Sequence, residues 1–274
     1  MWAKVLLAAL CGLMIACAIH FKPVRERALL ATRRTDGPRL RLMTWNIGYA
    51  ELESDTRAQT KDLRAVAETI LEHEPDAVAI QELINDAQLR ILLSYLGGRY
   101  TGRVAQTGNA DRVEAVLVKD NKATFADVPG DGNFALAATF HVGQQKLTFI
   151  SAHADAFSAA RRRVFTGAIV DWARTRSNDE IVFIAGDFNF EVSAADNTHL
   201  YTDNLKHDSE SYSYLLKYFR DLGRDAGDTA INDRRIDYIF GPQEERVLLR
   251  RAEVLRGAAV GRMDHWPVIV EVAL

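Results

Sequence analysis

A chain of 274 residues, 48% of them hydrophobic and 26% charged, has ordinary globular composition and enough apolar mass for one sizeable core. Of its 34 basic and 37 acidic residues, six and one fall within the first 35, so the remainder carries a formal charge of about −8. That balance argues against a protein that grips long nucleic acid by charge alone, because neutralised phosphates supply most non-specific affinity, although it leaves room for a nuclease with a local basic rim.

After Lys4, residues 5–21 are almost wholly apolar, with only His20 offering an imidazole, so the segment is directed to a membrane and is no core strand. A basic start, an apolar stretch and a small residue near its end suit a signal peptide. Met14-Ile15-Ala16-Cys17 also resembles a bacterial lipobox, and an uncleaved anchor fits the length as well. Residues 1–21 are therefore expected to be a signal peptide, a lipoprotein signal or a membrane anchor, placing the protein at a membrane or in a secreted or periplasmic space. Both cysteines, Cys11 and Cys17, lie here, which excludes disulfides and cysteine zinc sites from the rest of the chain. Lys22, Arg25, Arg27, Arg33 and Arg34 make residues 22–38 a polar basic linker, able to rest on anionic headgroups or simply to be solvated.

From residue 39 short β-type runs alternate with helical stretches. Residues 40–45 read as a strand leading into Asn46. Residues 60–72 carry Leu63, Val66, Ala67, Ile70 and Leu71 at the spacing of a helix with one buried face, stopped by Pro75. Residues 77–80 form a buried strand running into Gln81-Glu82, and residues 86–96 a helix ended by Gly97-Gly98. Strands follow at 113–119 and 135–142, the second turning through Gly143 to meet 146–151 in a hairpin. After a helix over 161–174, residues 181–185 form another buried strand, ending in Gly186-Asp187-Phe188-Asn189. Residues 191–235 are polar apart from a helix near 212–219, and strands resume at 236–240 and 267–273. No internal repeat is visible. Many strands with interspersed helices predict an α+β domain of two packed mixed sheets over residues 39–274, while periodicity alone leaves a doubly wound sheet open.

Six strand ends carry polar groups: Asn46; Glu82; His153 with Asp155; Asp187 with Asn189; Asp237; and Asp264 with His265. Oxygen donors dominate, which suits magnesium or manganese and a phosphate-bearing substrate better than zinc. Singly, each has an ordinary alternative. Asn46 is a turn former, Glu82 a helix starter, and Asp187 with Asn189 turn chemistry after Gly186; Asp264 suits a loop salt bridge and His153 a half-buried, hydrogen-bonded histidine.

Taken together, Trp45-Asn46, Gln81-Glu82, Ser151-Ala152-His153, Gly186-Asp187-Phe188-Asn189, Arg235-Ile236-Asp237-Tyr238-Ile239 and Asp264-His265-Trp266-Pro267-Val268 occur in that order with domain-scale gaps. On these residues the chain resembles the endonuclease/exonuclease/phosphatase family over about residues 39–274. The resemblance implies the fold of deoxyribonuclease I, a four-layered α/β/β/α sandwich of two packed mixed β-sheets with helices on the outer faces and the catalytic residues at one edge. It also implies a metal-dependent phosphoric ester hydrolase, and fixes the reaction better than the substrate.

Carried over position by position, the resemblance makes Glu82 the principal magnesium ligand, with Asn46 and Asp264 beside it or reaching it through water. Asp187 would deprotonate the attacking water, and Asn189 would hold that water or a phosphate oxygen. His265, aligned by Asp237, would stabilise charge growing on phosphorus. His153 matches the second histidine of the deoxyribonuclease-like and sphingomyelinase-like branches, where it binds phosphate or protonates the leaving oxygen. The implied chemistry is in-line attack by water on a phosphodiester or monoester, with magnesium or manganese neutralising phosphoryl charge. Met263 stands where the family usually has serine. Arg161-Arg162-Arg163 reads as a solvated helix face. Tyr49, Tyr100, Phe157, Phe190 and Trp266 lie near the expected site and could stack on a base or a lipid headgroup, Trp266 being better suited to the core. Arg103 and Arg112 flank a polar loop that could form a substrate rim.

The expected activity is that of a nuclease or phosphodiesterase. The alternative is a phospholipid or sphingomyelin headgroup hydrolase or an inositol-phosphate phosphatase, which the apolar leader and acidic domain favour. Arg234-Arg235-Ile236-Asp237 lacks the tryptophan- and cysteine-containing signature of inositol-polyphosphate phosphatases. A non-catalytic binding module should lack at least one of Glu82, Asp187, Asp237 and His265, and all four are present.

Overall fold

The computed structural model describes residues 37–48, 56–106, 112–130, 135–176, 179–190, 192, 202–243, 247–258 and 260–274. The expected leader and most of the linker, and Tyr49, lie outside them. In chain order the elements are β1 (Arg39–Asn46), α1 (Thr56–His73), β2 (Ala77–Leu83), α2 (Asp86–Tyr95), β3 (Thr101–Val104), β4 (Val113–Val118), β5 (Thr124–Val128) and β6 (Ala135–Val142). There follow β7 (Gln145–His153), α3 (Ala159–Arg174), β8 (Glu180–Asp187), α4 (Leu205–Tyr218), β9 (Phe219–Asp221), β10 (Asp237–Pro242), β11 (Leu248–Val254) and β12 (Val268–Ala273). Among the described residues no helix is long and apolar enough to cross a membrane.

The strands form two six-stranded sheets, ordered β11-β12-β1-β2-β4-β3 and β5-β6-β7-β8-β10-β9. Each has a single parallel pair at its centre, β1 with β2 and β7 with β8. Parallel neighbours need a crossover, which α1 and α3 supply. The inner faces meet through Leu40, Leu42, Val116, Leu136, Phe149 and Phe183. Alternate residues of the same strands point outward: Trp45 and Ile80 pack under Leu63, Val66 and Leu89 of α1 and α2. On the other side Ile184 and Phe240 pack under Phe165, Ile169 and Leu215 of α3 and α4. Central strands covered on both faces must be apolar throughout, which is why β2, β4 and β8 read as continuous hydrophobic runs. The result is the expected four-layered α/β/β/α sandwich.

The two strand orders are one order displaced by six, with β12 counted as preceding β1. Each half of the chain gives its first four strands to one sheet and its last two to the other. The sequence hides this repeat of topology. It also hides β3, β5, β9 and β11, which are the four sheet edges. α4 starts at Leu205, ahead of the expected residue 212, because Asn204 caps it by accepting from the His207 N–H.

Candidate active site

β1, β2, β7 and β8 all end at one edge of the sandwich, and β4 and β10 begin there. The ends are tied beneath the surface. Buried Gln81 accepts from Thr44 Oγ1 at 3.2 Å and donates to Ser151 Oγ at 3.0 Å, linking β1 and β2 to β7 across the inter-sheet core. Glu82 sits where the β2–β4 register shifts, with φ 63°. A bulge of this kind re-aims a side chain, here toward the edge. Gly186 (φ 145°) precedes Asp187 because a Cβ there would lie 1.8 Å from the Ala152 carbonyl oxygen.

Asp187 is the hub. Its Oδ2 accepts from Asn46 Nδ2 at 3.0 Å and lies 3.7 Å from Nε2 of both His153 and His265, while its Oδ1 accepts from the Asn189 N–H at 2.8 Å. Asn46 Nδ2 also donates to Glu82 Oε1 at 3.1 Å, and its Oδ1 accepts from the Gly48 N–H, so in this arrangement the amide presents its nitrogen to the two carboxylates. Asn189 donates to the Ala154 carbonyl at 3.1 Å. Glu82 pairs with Arg112 and approaches His153.

Each histidine is backed by a carboxylate from the opposite sheet. His265 Nδ1 lies 2.8 Å from Asp237 Oδ2, and Thr229 Oγ1 donates to the same oxygen at 2.7 Å. His153 Nδ1 lies 3.4 Å from Glu114 Oε1. Burial alone would lower both imidazoles. The charges of Asp237 and Asp187 and the Asp237 hydrogen bond instead push His265 up to about 10, and the Glu114 hydrogen bond with Glu82 and Asp187 pushes His153 up to about 9. Trp45 Nε1 donates to the His265 carbonyl at 3.3 Å and holds that segment on β1.

Five carboxylates, of Glu82, Glu114, Asp187, Asp237 and Asp264, gather here against Arg112 and two histidines, so acids outnumber bases in the formal count even with both imidazoles counted as charged. Burial, with the charges of Glu82 and Asp187 added, raises the half-buried Asp264 carboxyl against the pull of His265. Crowded oxygen donors with surplus negative charge suit a hard divalent cation. Ligand atoms of Asp187, Asp237 and His265 also lie within 4.8 Å of one another, and Asp237 Oδ1 is buried without a hydrogen-bond partner. Two sets of side chains could therefore hold such a cation: Asp187, Asp237 and His265, and Glu82 with Asp264, which Asn46 joins only with its amide turned to present Oδ1.

The structure thus brings Asn46, Glu82, His153, Asp187, Asn189, Asp237, Asp264 and His265 to one edge. Sequence reasoning missed Glu114 and Thr229. Glu114 had a signal, since it is the lone acid in the apolar run Val113–Val118. Arg112, left as a rim residue, contacts Glu82 directly. The solvated reading of the arginine run fails for Arg162, which is fully buried in a bidentate pair with Asp208 at 2.8 Å, while Arg161 and Arg163 are exposed. Tyr100 is not near the site: it is buried and donates to the Pro75 carbonyl at 2.7 Å, at the far end of β2. Phe190 is a core residue packed on Phe188 and Tyr238. Trp266 is half-buried, with the Arg256 guanidinium 5.4 Å from its ring centre. Arg103 pairs with Asp127 instead of a substrate rim.

A model of the Endonuclease/Exonuclease/phosphatase family matches residues 43–259. No curated protein matches by sequence. Among solved structures, D. rerio TDP2 humanized by 14 mutations is similar at TM-score 0.68 and 16% identity, over 86% of this chain and 99% of that one. A mannosyl-6-phosphatase of Bacteroides thetaiotaomicron aligns at TM-score 0.67 and 17% identity, over 86% and 100%. The human Nocturnin catalytic domain with bound sulfate aligns at TM-score 0.64 and 19% identity, over 86% and 95%.

Proposed function

The chain belongs to the endonuclease/exonuclease/phosphatase family of phosphoester hydrolases, and from that premise we propose that it is a magnesium-dependent phosphodiesterase that hydrolyses by in-line attack of water. The observation that carries this reading is Asp187, a buried carboxylate held between two histidines that are each backed by an acid. In this mechanism water oxygen forms the new P–O bond, its proton passes to Asp187, and the ester P–O bond breaks. The imidazolium of His265 meets charge developing on the phosphoryl oxygens, and that of His153 protonates the departing oxygen. Asn46 and the Asn189 N–H orient Asp187. Glu82 and Asp264 would hold the cation, magnesium or manganese, joined by Asn46 only with its amide turned to present Oδ1, and a bound cation supplies Lewis-acid neutralisation of phosphoryl charge.

Residues 5–21 support a location at or beyond a membrane, and with it a second reading in which the diester is a phospholipid or sphingomyelin headgroup. The test is hydrolysis of supercoiled DNA, RNA, sphingomyelin and inositol phosphates by the full chain with magnesium, after EDTA, and after metal is restored, with Asp187→Ala as control. Nicked nucleic acid supports the nuclease reading, and headgroup release moves the substrate to lipid. Turnover indifferent to EDTA, or intact in Asp187→Ala, overturns the mechanism.

A further inference from the structure

Six large apolar side chains are exposed among the described residues, and four of them, Phe157, Val164, Leu205 and Ile231, lie at the active-site end of the sandwich. Scattered exposed apolar residues are normal, but clustering around one mouth is not. Phe157 is 83% exposed and Val164 51%. α3 starts just after β7 and His153, so Ala160, Arg161 and Val164 share one exposed face of its first turns, and Phe157 stands on the turn that leads into it. α4 also begins at this end, where Asp203 accepts from the Ala159 N–H and sets Leu205 and Lys206 beside that face.

The charges here are layered. Arg161 is 72% exposed and Lys206 83%, with Arg163 beside them, whereas their partners sit lower: Asp155 is 13% exposed and Glu210 bridges Arg163 to Lys206. Asp208 is buried, while Asp203 is exposed and accepts from the Ala159 N–H. Phe157 stands on a preformed turn, because Asp155 Oδ1 accepts from the Phe157 and Ser158 N–H groups and Arg162 holds the Asp155 carbonyl at 3.0 Å. An aromatic at the apex with cations around it is the composition that lies in a lipid interface.

We propose that this corner docks on a phospholipid surface, with Phe157 entering the acyl boundary, Arg161, Arg163 and Lys206 meeting headgroup phosphates, and the active-site mouth turned toward the membrane. The tether permits it. Gly37 lies at the opposite end of β1 from the site, and the fifteen residues 22–36 separate it from the apolar run. Fifteen residues span up to about 50 Å, whereas an eight-residue strand is only about 27 Å long. This inference stands apart from the metal and the substrate.

The test uses the full chain in vesicles of phosphatidylcholine and phosphatidylserine with brominated acyl chains. The tryptophan of Phe157→Trp should be quenched several-fold more, after subtracting the parent chain, than that of Leu249→Trp on the far end of β11. Adding Arg161→Gln and Lys206→Glu should roughly halve that quenching. Equal quenching at the two positions overturns the docking. Quenching indifferent to the charge changes overturns the role of the cations. Phe157→Trp fluorescence that responds to single-stranded DNA and not to vesicles would reassign the corner to nucleic acid. None of these readings depends on turnover, so failure of the catalytic proposal is seen separately.

Discussion

Replacing Arg162 with methionine separates the fold from the site. Arg162 donates twice to Asp208 at 2.8 Å, to Thr202 Oγ1 at 2.8 Å and to the Asp155 carbonyl at 3.0 Å. Removing it leaves Asp208 buried and uncompensated, a loss of about 3–5 kcal/mol. That corresponds to a melting temperature lower by about 10 °C for a domain of this size. Arg162→Met with Asp208→Leu removes both charges and should recover stability to within about 1–2 kcal/mol of the parent, the remainder being the donors lost to Asp155 and Thr202. Activity should not recover with it. The Asp155 carbonyl anchors the segment whose Ala154 carbonyl receives Asn189 and whose His153 faces Asp187, and a small misplacement of reacting groups can cost about 10²-fold. Thermal unfolding and steady-state kinetics on Arg162→Met, Asp208→Leu and the double variant complete the cycle. A double variant with restored stability and full kcat would refute the idea that Arg162 positions the site, and a stable single variant would refute the buried pair.

Gly186→Ala forces a Cβ to 1.8 Å from the Ala152 carbonyl oxygen and should lose at least about 3 kcal/mol, whereas Gly143→Ala, with φ +60° and nothing within 4 Å, should lose only about 1 kcal/mol. Denaturant midpoints distinguish them, and equal losses would contradict the close β7–β8 approach. Glu114→Gln should lower kcat about 10²-fold at nearly unchanged stability, and full activity would remove Glu114 from the site. Glu180 is buried, which raises its carboxyl, but hydrogen bonds from Thr148 and Lys146 and the charge of Arg176 outweigh that and hold it below the ordinary glutamate value. Its contribution is therefore full above about pH 4.3 and lost as pH falls through the depressed folded-state value. The stability gap between wild type and Glu180→Gln should close in acid unfolding, and a gap that persists there would mean the charge is not its source.

What the sequence reveals follows burial. The eight strands read from it are those flanked on both sides, where hydrophobic runs are enforced. The four it misses are edges with half-exposed patterns, such as Thr101–Val104 and Leu248–Val254, where solvent relaxes the demand for apolar residues. The site reads well where a polar group ends an apolar strand, as at Asn46 and Asp187. Thr229 escapes because it lies in a polar stretch and acts through a hydrogen bond to Asp237 that only the tertiary fold creates. Arg162 escapes because its neighbours Arg161 and Arg163 are exposed, and helical rotation alone turns it inward.

The exchange of strands between halves has a consequence for biogenesis. The sheet begun by β1 is finished only by β11 and β12, the last to be made, and His265 arrives with them. The N-terminal half emerging from the ribosome has an open apolar flank where β12 will pair with β1, and it holds β5 and β6 without the sheet they join. Such a chain cannot bank structure half by half. The sheet that carries Asn46 and Glu82, and with it the full set of site residues, is complete only once β11, His265 and β12 have been made.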